Sequence, residues 1–289
     1  MLRSGKAPRK AARLRRAPDR WKFPSALQAL SAHRLLSDDE PEAFRAIPGS
    51  DGSAFVITCD HASNRLPTAL GTLGLSAAEL ETHVAWDIGA ARVAERLAVA
   101  LEAFLILQNY SRLAIDCNRP LHVSSSIVTL SEQTMVPGNR ELSALETELR
   151  AKEIFQPYHE RIDRELERRK LAGVPSVYVA VHSFTPRFKD VDRPWHAGVL
   201  YGRDARLGRA VLELLRSEPE LVVGDNQPYA VSDATDYGIV QHAERRGLLC
   251  VELEIRQDLI GDADGQTRWA ERLARLLPEA VTRAATAST

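Results

Sequence analysis

Short, continuous apolar runs alternate along this chain with longer segments of helical periodicity, and this alternation is the strongest constraint on its fold. The runs include AFVITCDH at residues 54–61, SVYVAVHS at 176–183, HAGVLYG at 196–202 and LLCVELEIR at 248–256. Such runs are typical of strands buried on both faces, and strands that alternate with helices form parallel or mixed sheets. The pattern therefore predicts an α/β domain with a largely parallel or mixed central sheet.

The body of the chain shows no internal repeat and no low-complexity linker, which predicts a single domain over residues 23–289. Residues 1–22 differ, because they carry nine Lys and Arg residues against one Asp. A block of like charges repels itself and buries little apolar surface, so it predicts a flexible basic tail. A transit peptide and a nucleic-acid-binding arm are the alternatives for this segment.

Charge and cysteine content exclude several classes of protein. The formal net charge of −1 gives no overall field that would favour nucleic acid or an anionic membrane. No apolar run reaches the roughly 18 residues of a membrane-spanning helix. Cys59, Cys117 and Cys250 are odd in number and isolated within apolar runs, which indicates buried thiols in a reducing compartment. We therefore expect a cytoplasmic protein; the sequence does not indicate an oligomeric state.

Polar residues follow four of the predicted strands, where α/β proteins usually bind their ligands. His61 and His182 each end an apolar run. Histidine is the commonest ligand of catalytic zinc, which needs three protein ligands and an open position for water. Either histidine alone reads as structural, but the pair predicts one divalent metal ion, with zinc expected.

The last predicted strand carries Glu252, Glu254 and Arg256 at alternate positions. A period of two places all three side chains on one face of the strand. Burying such charges is costly unless they pair or take part in chemistry. A glutamate here could serve as the general base of a hydrolytic reaction; the alternative is a structural Glu–Arg ion pair.

Residues 103–120, AFLILQNYSRLAIDCNRP, hold two apolar runs. The second half of this stretch, SRLAIDCNRP at residues 111–120, also carries two arginines. Arginine binds carboxylates through two parallel hydrogen bonds. Arg112 and Arg119 are therefore candidates for binding a substrate carboxylate and stabilising an oxyanion, with Asp116 and Asn118 orienting them. A structural Asp116–Arg119 network around a tight turn is the alternative.

Three further residues receive weaker interpretations. Asp87 stands where a helix N-cap belongs, which predicts a cap, with a third metal ligand as the alternative. His159 lies in a long charged helix and is predicted to face solvent. His242 lies just before the last strand and is a candidate for supporting the metal ligands from behind.

Seven segments taken together resemble the N-formylglutamate amidohydrolase family, and they span about residues 50 to 265: VITCDHASNRLP, HVAWDIGA, SRLAIDCNRP, VHSFTP, RPWHAGVLYG, DNQPY and HAERRGLLCVELEIRQDLI. Their order is also similar to that of the wider zinc carboxypeptidase and aspartoacylase group. The resemblance implies a three-layer α/β/α sandwich of the phosphorylase/hydrolase-like type. It also implies one zinc ion and hydrolysis of an amide bond.

The resemblance also implies roles for individual residues. His61 matches the first metal ligand and His182 the last, Arg112 matches the arginine that polarises the carbonyl, and Glu254 matches the general base. Asn118 and Arg119 match the pair that binds the substrate carboxylate, and Arg256 is a further candidate for substrate binding.

The chain departs from the family pattern at Asn64, which stands where the family has a metal-binding glutamate. Asparagine is a neutral and weaker ligand. The third ligand is therefore Asn64 itself, Asp60 or Asp87, and the remaining candidates for ligands or their supports are Asp116, His242 and Glu252.

These observations predict a metal-dependent amidohydrolase that cleaves the C–N bond of a small acidic N-acyl amino acid. N-formyl-L-glutamate, converted to formate and L-glutamate, is the expected substrate. The alternatives are a related hydrolase of another N-acyl amino acid or small peptide, and a non-catalytic protein that binds an acidic metabolite. No nucleic-acid or membrane partner is expected.

Overall fold

The protein is represented by a computed structural model, which describes residues 34–286. The predicted basic tail lies outside these residues. The described part contains eleven strands. They are β1 Phe44–Ile47, β2 Phe55–Cys59, β3 Phe104–Gln108, β4 Leu130–Ser131, β5 Thr134–Met135, β6 Val177–Phe184, β7 Arg187–Phe188, β8 Val191–Asp192, β9 Ala197–Leu200, β10 Val223–Asp225 and β11 Leu249–Arg256.

The helices are α1 Ala77–Leu80, α2 Ala90–Ala100, α3 Ala144–Arg150, α4 Gln156–Ala172, α5 Arg206–Arg216 and α6 Ala263–Thr286. A π-turn, Ala151–Phe155, joins α3 to α4, and a second π-turn covers Ile239–Ala243. Ser76 and Glu79 form a capping box at the start of α1. Gly173 ends α4 with a φ of 69°, a conformation that glycine adopts without strain. Among the described residues, no helix is long and apolar enough to span a membrane.

Seven strands form the central sheet in the order β1-β3-β2-β6-β11-β9-β10. The four central strands β3, β2, β6 and β11 are parallel to one another. At the edges, β1 is antiparallel to β3, while β9 is antiparallel to β11 and parallel to β10. Helices cover both faces, so the predicted α/β/α sandwich with a mixed, largely parallel sheet is confirmed. The pairs β4–β5 and β7–β8 form two short hairpins outside this sheet.

The two faces of the sheet differ in chemistry. One face packs its alternate strand residues, such as Val181 and Leu253, against α2, α5 and α6 in one large apolar core. The intervening residues point to the opposite face, where α4 lies and where His182 and Glu254 are paired neighbours on β6 and β11. Strand periodicity therefore directs the candidate site residues to a single face.

The second apolar run predicted within residues 103–120 does not form a strand. Residues 111–118 are largely buried but irregular, and their backbone bonds to distant loops instead of to a neighbouring strand. The Ser111 amide donates to the Arg65 carbonyl at 2.7 Å, and the Asp116 amide donates to the Ser126 carbonyl at 2.7 Å. Apolar content predicted the burial of this segment correctly, but it could not reveal which backbone partners were available.

Candidate active site

Two histidines and one aspartate meet in a buried group at one end of the parallel strands. His182 lies in β6, His61 follows β2, and Asp87 lies in the loop before α2. The Oδ2 atom of Asp87 is 2.8 Å from His182 Nδ1 and 3.3 Å from His61 Nδ1. All three residues are at most 4% exposed. Each offers one possible ligand atom, and these atoms lie within 4.8 Å of one another. The group could therefore bind a metal ion.

The N-cap interpretation of Asp87 is wrong. Helix α2 begins at Ala90, its N-cap is Gly89, and no side chain caps it. Gly89 has a φ of 81°, and a Cβ atom there would lie 2.2 Å from the Ile260 carbonyl oxygen. The close approach of these two loops fixes the turn, and the Asp87 carboxylate points away from the helix toward the histidines.

A second carboxylate lies behind each histidine. Asp116 Oδ1 is 2.8 Å from His61 Nε2. Asp60 Oδ2 lies 3.7 Å from His182 Nε2, beyond hydrogen-bond distance, and has no hydrogen-bond partner among the described residues, while its Oδ1 accepts from the Tyr158 hydroxyl. Metal-binding histidines usually donate their second ring N–H to a carboxylate in this way, which fixes the tautomer and the ring orientation.

The donor set fits a zinc-like ion. Two imidazoles and one carboxylate are among the combinations that bind catalytic zinc with a position left open for water. The buried Nε2 of His182 and Oδ2 of Asp60 have no hydrogen-bond partner within the described chain, and they lie 3.7 Å from each other. A ligand on His182 Nδ1 would place the ring proton on Nε2, on the side that faces Asp60.

Electrostatics hold the acidic members of the group ionised. Burial opposes charge on Asp116, but His61, Arg112 and Arg119 outweigh it and keep the pKa of Asp116 well below its usual value. The same balance, with His61 and His182 as the partners, lowers the pKa of Asp87. Ionised carboxylates and neutral imidazoles are the forms of these side chains that bind a divalent cation.

Glu252 and Glu254 project from β11 into the same cavity, with one carboxylate oxygen of each lacking a hydrogen-bond partner among the described residues. Burial raises the pKa of Glu254 to about 7, so this carboxyl can both take up and release a proton near neutral pH. Burial and then the nearby Asp236 raise the pKa of Glu252 well above its usual value. The period-two prediction for these two glutamates is confirmed by their shared face.

The arginines of the segment SRLAIDCNRP border the same cavity. Arg112 contacts Asp116 Oδ2 at 3.0 Å and Asp87 Oδ1 at 3.3 Å. Arg119 Nη1 donates to the backbone carbonyls of Asn118 and Thr235. Those acceptors are neutral, so these two bonds leave the charge of Arg119 available to an anionic ligand. The cavity has a volume of about 440 Å³.

Comparison with known proteins gives the family. The family model of N-formylglutamate amidohydrolase matches residues 53–261, which include every residue of the group described above.

The chain belongs to the N-formylglutamate amidohydrolase family.

It is therefore a hydrolase that acts on amides. A solved structure of a gene product from Agrobacterium tumefaciens is 36% identical in sequence, with a TM-score of 0.83. The match covers 86% of this chain and 98% of that one. A solved N-formylglutamate amidohydrolase from Ralstonia eutropha JMP134 shares the fold, at 19% identity and a TM-score of 0.64, over 84% of this chain and 98% of that one. No curated protein sequence matches the chain.

Two residues that the sequence analysis predicted for the site lie elsewhere. The Asn64 amide donates to the Leu80 carbonyl and to the Glu81 carboxylate, both at 3.1 Å, so Asn64 is not part of the buried group. Arg256 pairs with Asp258 at 2.8 Å and does not line the cavity. Both residues lie just beyond the end of a strand or at its last position, where the chain turns and strand periodicity no longer fixes the side-chain direction.

His159 is not solvent-facing as predicted, because it is 5% exposed and contacts His242. Helical position alone could not show that a π-turn rotates this face of α4 toward the sheet. His242 lies behind the segment SRLAIDCNRP and does not line the cavity. It bonds His159 and Asp163 instead of a candidate metal ligand.

Sequence reasoning missed Tyr229, which lines the cavity. Its hydroxyl accepts a hydrogen bond from Arg193 Nη1 at 2.9 Å. The Arg193 guanidinium lies over the rings of Tyr229 and Phe188, with its carbon 4.8 Å and 4.6 Å from their centroids. Tyr229 belongs to the motif DNQPY, which carried the family resemblance, so the motif was a usable signal even though its chemistry was not interpreted.

Proposed function

We propose that the protein is a metal-dependent amidohydrolase that releases formate from N-formyl-L-glutamate. The observation that carries the proposal is the buried His61–Asp87–His182 group in the same cavity as Glu254, one of whose carboxylate oxygens has no hydrogen-bond partner among the described residues. A bound divalent ion such as zinc would supply Lewis acidity, which makes water more acidic and polarises the carbonyl of an amide.

The chain's own residues would divide the remaining work. Glu254 would take a proton from the attacking water and return it to the leaving amine, for which its raised pKa is suited. Arg112 would stabilise the negative oxygen that develops on the carbonyl. Arg119, with Asn118, would bind a carboxylate of the glutamate part.

The test combines metal analysis with an assay of formate release. Purified protein should contain a near-stoichiometric divalent metal, and Glu254→Gln should lower kcat by about 10²- to 10⁴-fold, the usual contribution of a general acid–base. Glu167→Gln, an exposed residue on α4, makes the same charge change and should leave kcat unchanged. An unchanged rate in Glu254→Gln would remove the proton-transfer role.

Arg119→Met separates binding from chemistry. This substitution removes the guanidinium and keeps much of the side-chain length. It should raise KM for N-formylglutamate by roughly 10- to 100-fold, because a charged hydrogen bond contributes about 1.5–3 kcal/mol. An effect confined to kcat would place Arg119 at the reacting carbonyl instead.

One observation favours a second substrate class, that of amino acids with a larger N-acyl group. Val84, Val128, Leu130 and Phe188 form an apolar wall of the cavity. A formyl group would cover little of this wall, whereas a longer acyl chain would bury it. Comparing kcat/KM for N-formyl-, N-acetyl- and longer N-acyl-glutamates decides between the two: a rise with chain length supports the larger acyl group, and a fall supports formyl.

A further inference from the structure

Two buried histidines lie outside the cavity and have no role in the reaction described above. His159 in α4 and His242 in the second π-turn are 5% and 0% exposed. His159 Nδ1 is 2.8 Å from His242 Nε2. The outer nitrogens face two acceptors, since His159 Nε2 is 2.9 Å from the Cys117 carbonyl oxygen and His242 Nδ1 is 2.9 Å from Asp163 Oδ1.

The number of protons in this pair follows from its geometry. A carbonyl oxygen and a carboxylate oxygen can only accept, so both outer nitrogens must carry hydrogen. The central contact between His159 and His242 needs one donor and one acceptor. The two rings therefore hold three N–H protons, one more than two neutral imidazoles possess, and the pair carries one positive charge.

The surroundings make His159 the neutral member of the pair. Burial and the neighbouring His242 lower the pKa of His159 to about 3, which keeps His159 neutral. His242 donates to Asp163, whose side chain is 45% exposed and also pairs with Arg246 at 2.7 Å. The pair also contacts the aromatic rings of Phe155, Tyr158, Tyr178 and Tyr237. Among charged groups, Arg246 Nη1 donates to the His242 carbonyl at 3.3 Å, and the Asp60 carboxylate acts on His159.

The acceptor of His159 connects the pair to the active site. The Cys117 carbonyl belongs to the same peptide group as the Asn118 amide, and that amide donates to Asp116 Oδ1 at 2.9 Å. The same Asp116 oxygen faces His61 Nε2 at 2.8 Å. A continuous chain of hydrogen bonds thus runs from the surface carboxylate of Asp163 to His61.

We propose that His159 and His242 are positioning residues: their shared imidazolium polarises the Cys117–Asn118 peptide group and so tunes the hydrogen bond by which Asp116 orients His61. Consecutive hydrogen bonds in a low-dielectric interior polarise one another, which lets a charge at one end act on the other. The protonation pattern is independent of the proposed amidohydrolase function, and only the kinetic consequence rests on it.

The protonation pattern is measured by nitrogen-15 NMR of the full chain with labelled histidines at pH 8. His159 Nδ1 should be the one unprotonated ring nitrogen of the pair. In Asp163→Asn, His242 Nδ1 should become a second unprotonated ring nitrogen. The neutral amide can donate a hydrogen bond to this nitrogen, and it carries no negative charge to compensate an imidazolium. The matched control Glu167→Gln on the same helix should leave the pattern unchanged. Two unprotonated nitrogens in the wild-type protein would overturn the proposal.

The connection to His61 is tested with two substitutions of His159. In His159→Phe the donor to Cys117 is lost, and the His61 Nε2–H resonance should move upfield. In His159→Gln the side-chain amide can replace the Nε2 donor, and the resonance should return toward its wild-type position. If His159→Phe does not fold, Asp163→Asn replaces it: the His61 Nε2–H resonance should again move upfield, but by less. A resonance that does not move in any folded variant would overturn the proposal.

The kinetic arm uses N-formylglutamate as substrate. His159→Phe should lower kcat/KM by about tenfold, the lower end of the effect found for residues behind metal ligands. The loss should appear in kcat, since His61 lies at the reacting end of the site, and His159→Gln should recover it. A loss confined to KM, or equal losses in both variants, would contradict the positioning role. If the wild-type protein does not turn over this substrate, the proposed function fails. The NMR measurements alone then decide whether His159 and His242 position His61.

Discussion

Asp87 is the residue on which the organisation of the site depends most. Its Oδ2 contacts both histidines, and its Oδ1 contacts Arg112 at 3.3 Å. Its backbone amide also donates to the His61 carbonyl at 2.9 Å, which holds the two loops together. The local sequence AWDIGAARV favours a helix cap, because short-range signals report only the nearest backbone. The role of Asp87 is set by residues 26 and 95 positions away.

Glu254 gives a prediction at the same scale, on pH dependence. A general base acts in its deprotonated form, and burial raises the pKa of Glu254 to about 7. We therefore expect kcat/KM for amide hydrolysis to rise with pH and to level off above about 7, instead of levelling off near the ordinary glutamate pKa of about 4.3. Initial rates between pH 5 and 9 in buffers of constant ionic strength measure this.

Glu254→Gln is the control for that profile, and it should show a low rate without the acidic limb. An acidic limb that persists in Glu254→Gln would assign the titration to another group.

At the scale of elements, β9 supports the loop that follows β10, and this loop brings Tyr229 and Ala230 to the cavity. Gly198 of β9 is the paired neighbour of Glu254 on β11. A Cβ atom at Gly198 would lie 1.9 Å from the Gln227 carbonyl oxygen. The loop can therefore approach the sheet only where β9 has no side chain, and this approach carries Tyr229 into the cavity.

Gly198→Ala should consequently displace this loop. We expect a loss of about 1–3 kcal/mol in the free energy of unfolding, the usual cost of overpacking, together with a fall in kcat/KM as Tyr229 moves. Denaturant unfolding and the kinetic assay measure the two effects. Gly261→Ala is the matched control, because its nearest neighbouring atom would be 3.7 Å away. Equal stability of the two variants would contradict the steric argument.

At the scale of the whole molecule, the candidate metal ligands come from three distant segments that only the complete sheet brings together. A ligand that binds the folded state and not the unfolded chain stabilises the entire fold by mass action. The metal site therefore links local chemistry to global stability.

Zinc should thus raise the Tm of metal-free protein, with a gain of about 2.7 kcal/mol when free zinc is 100 times its Kd. Asp87→Asn should lose most of this gain, because a neutral amide is a weaker ligand. Asn64→Ala should retain it, because the Asn64 side chain bonds Leu80 and Glu81 instead. Thermal unfolding with zinc and with a chelator measures both, and the reverse pattern would make Asn64 the third ligand.

The sequence by itself determined the buried strands β2, β6, β9 and β11 and the face on which Glu252 and Glu254 lie, because a strand's periodicity is a local property of the backbone. The sequence also placed His61 just after β2 and His182 near the end of β6. Only the tertiary structure decided that Asp87 joins them, that Asn64 does not, and that His159 meets His242 across 83 positions of sequence. Those contacts depend on the paths of loops and on π-turns, which are fixed by long-range packing and leave no periodic trace in the sequence.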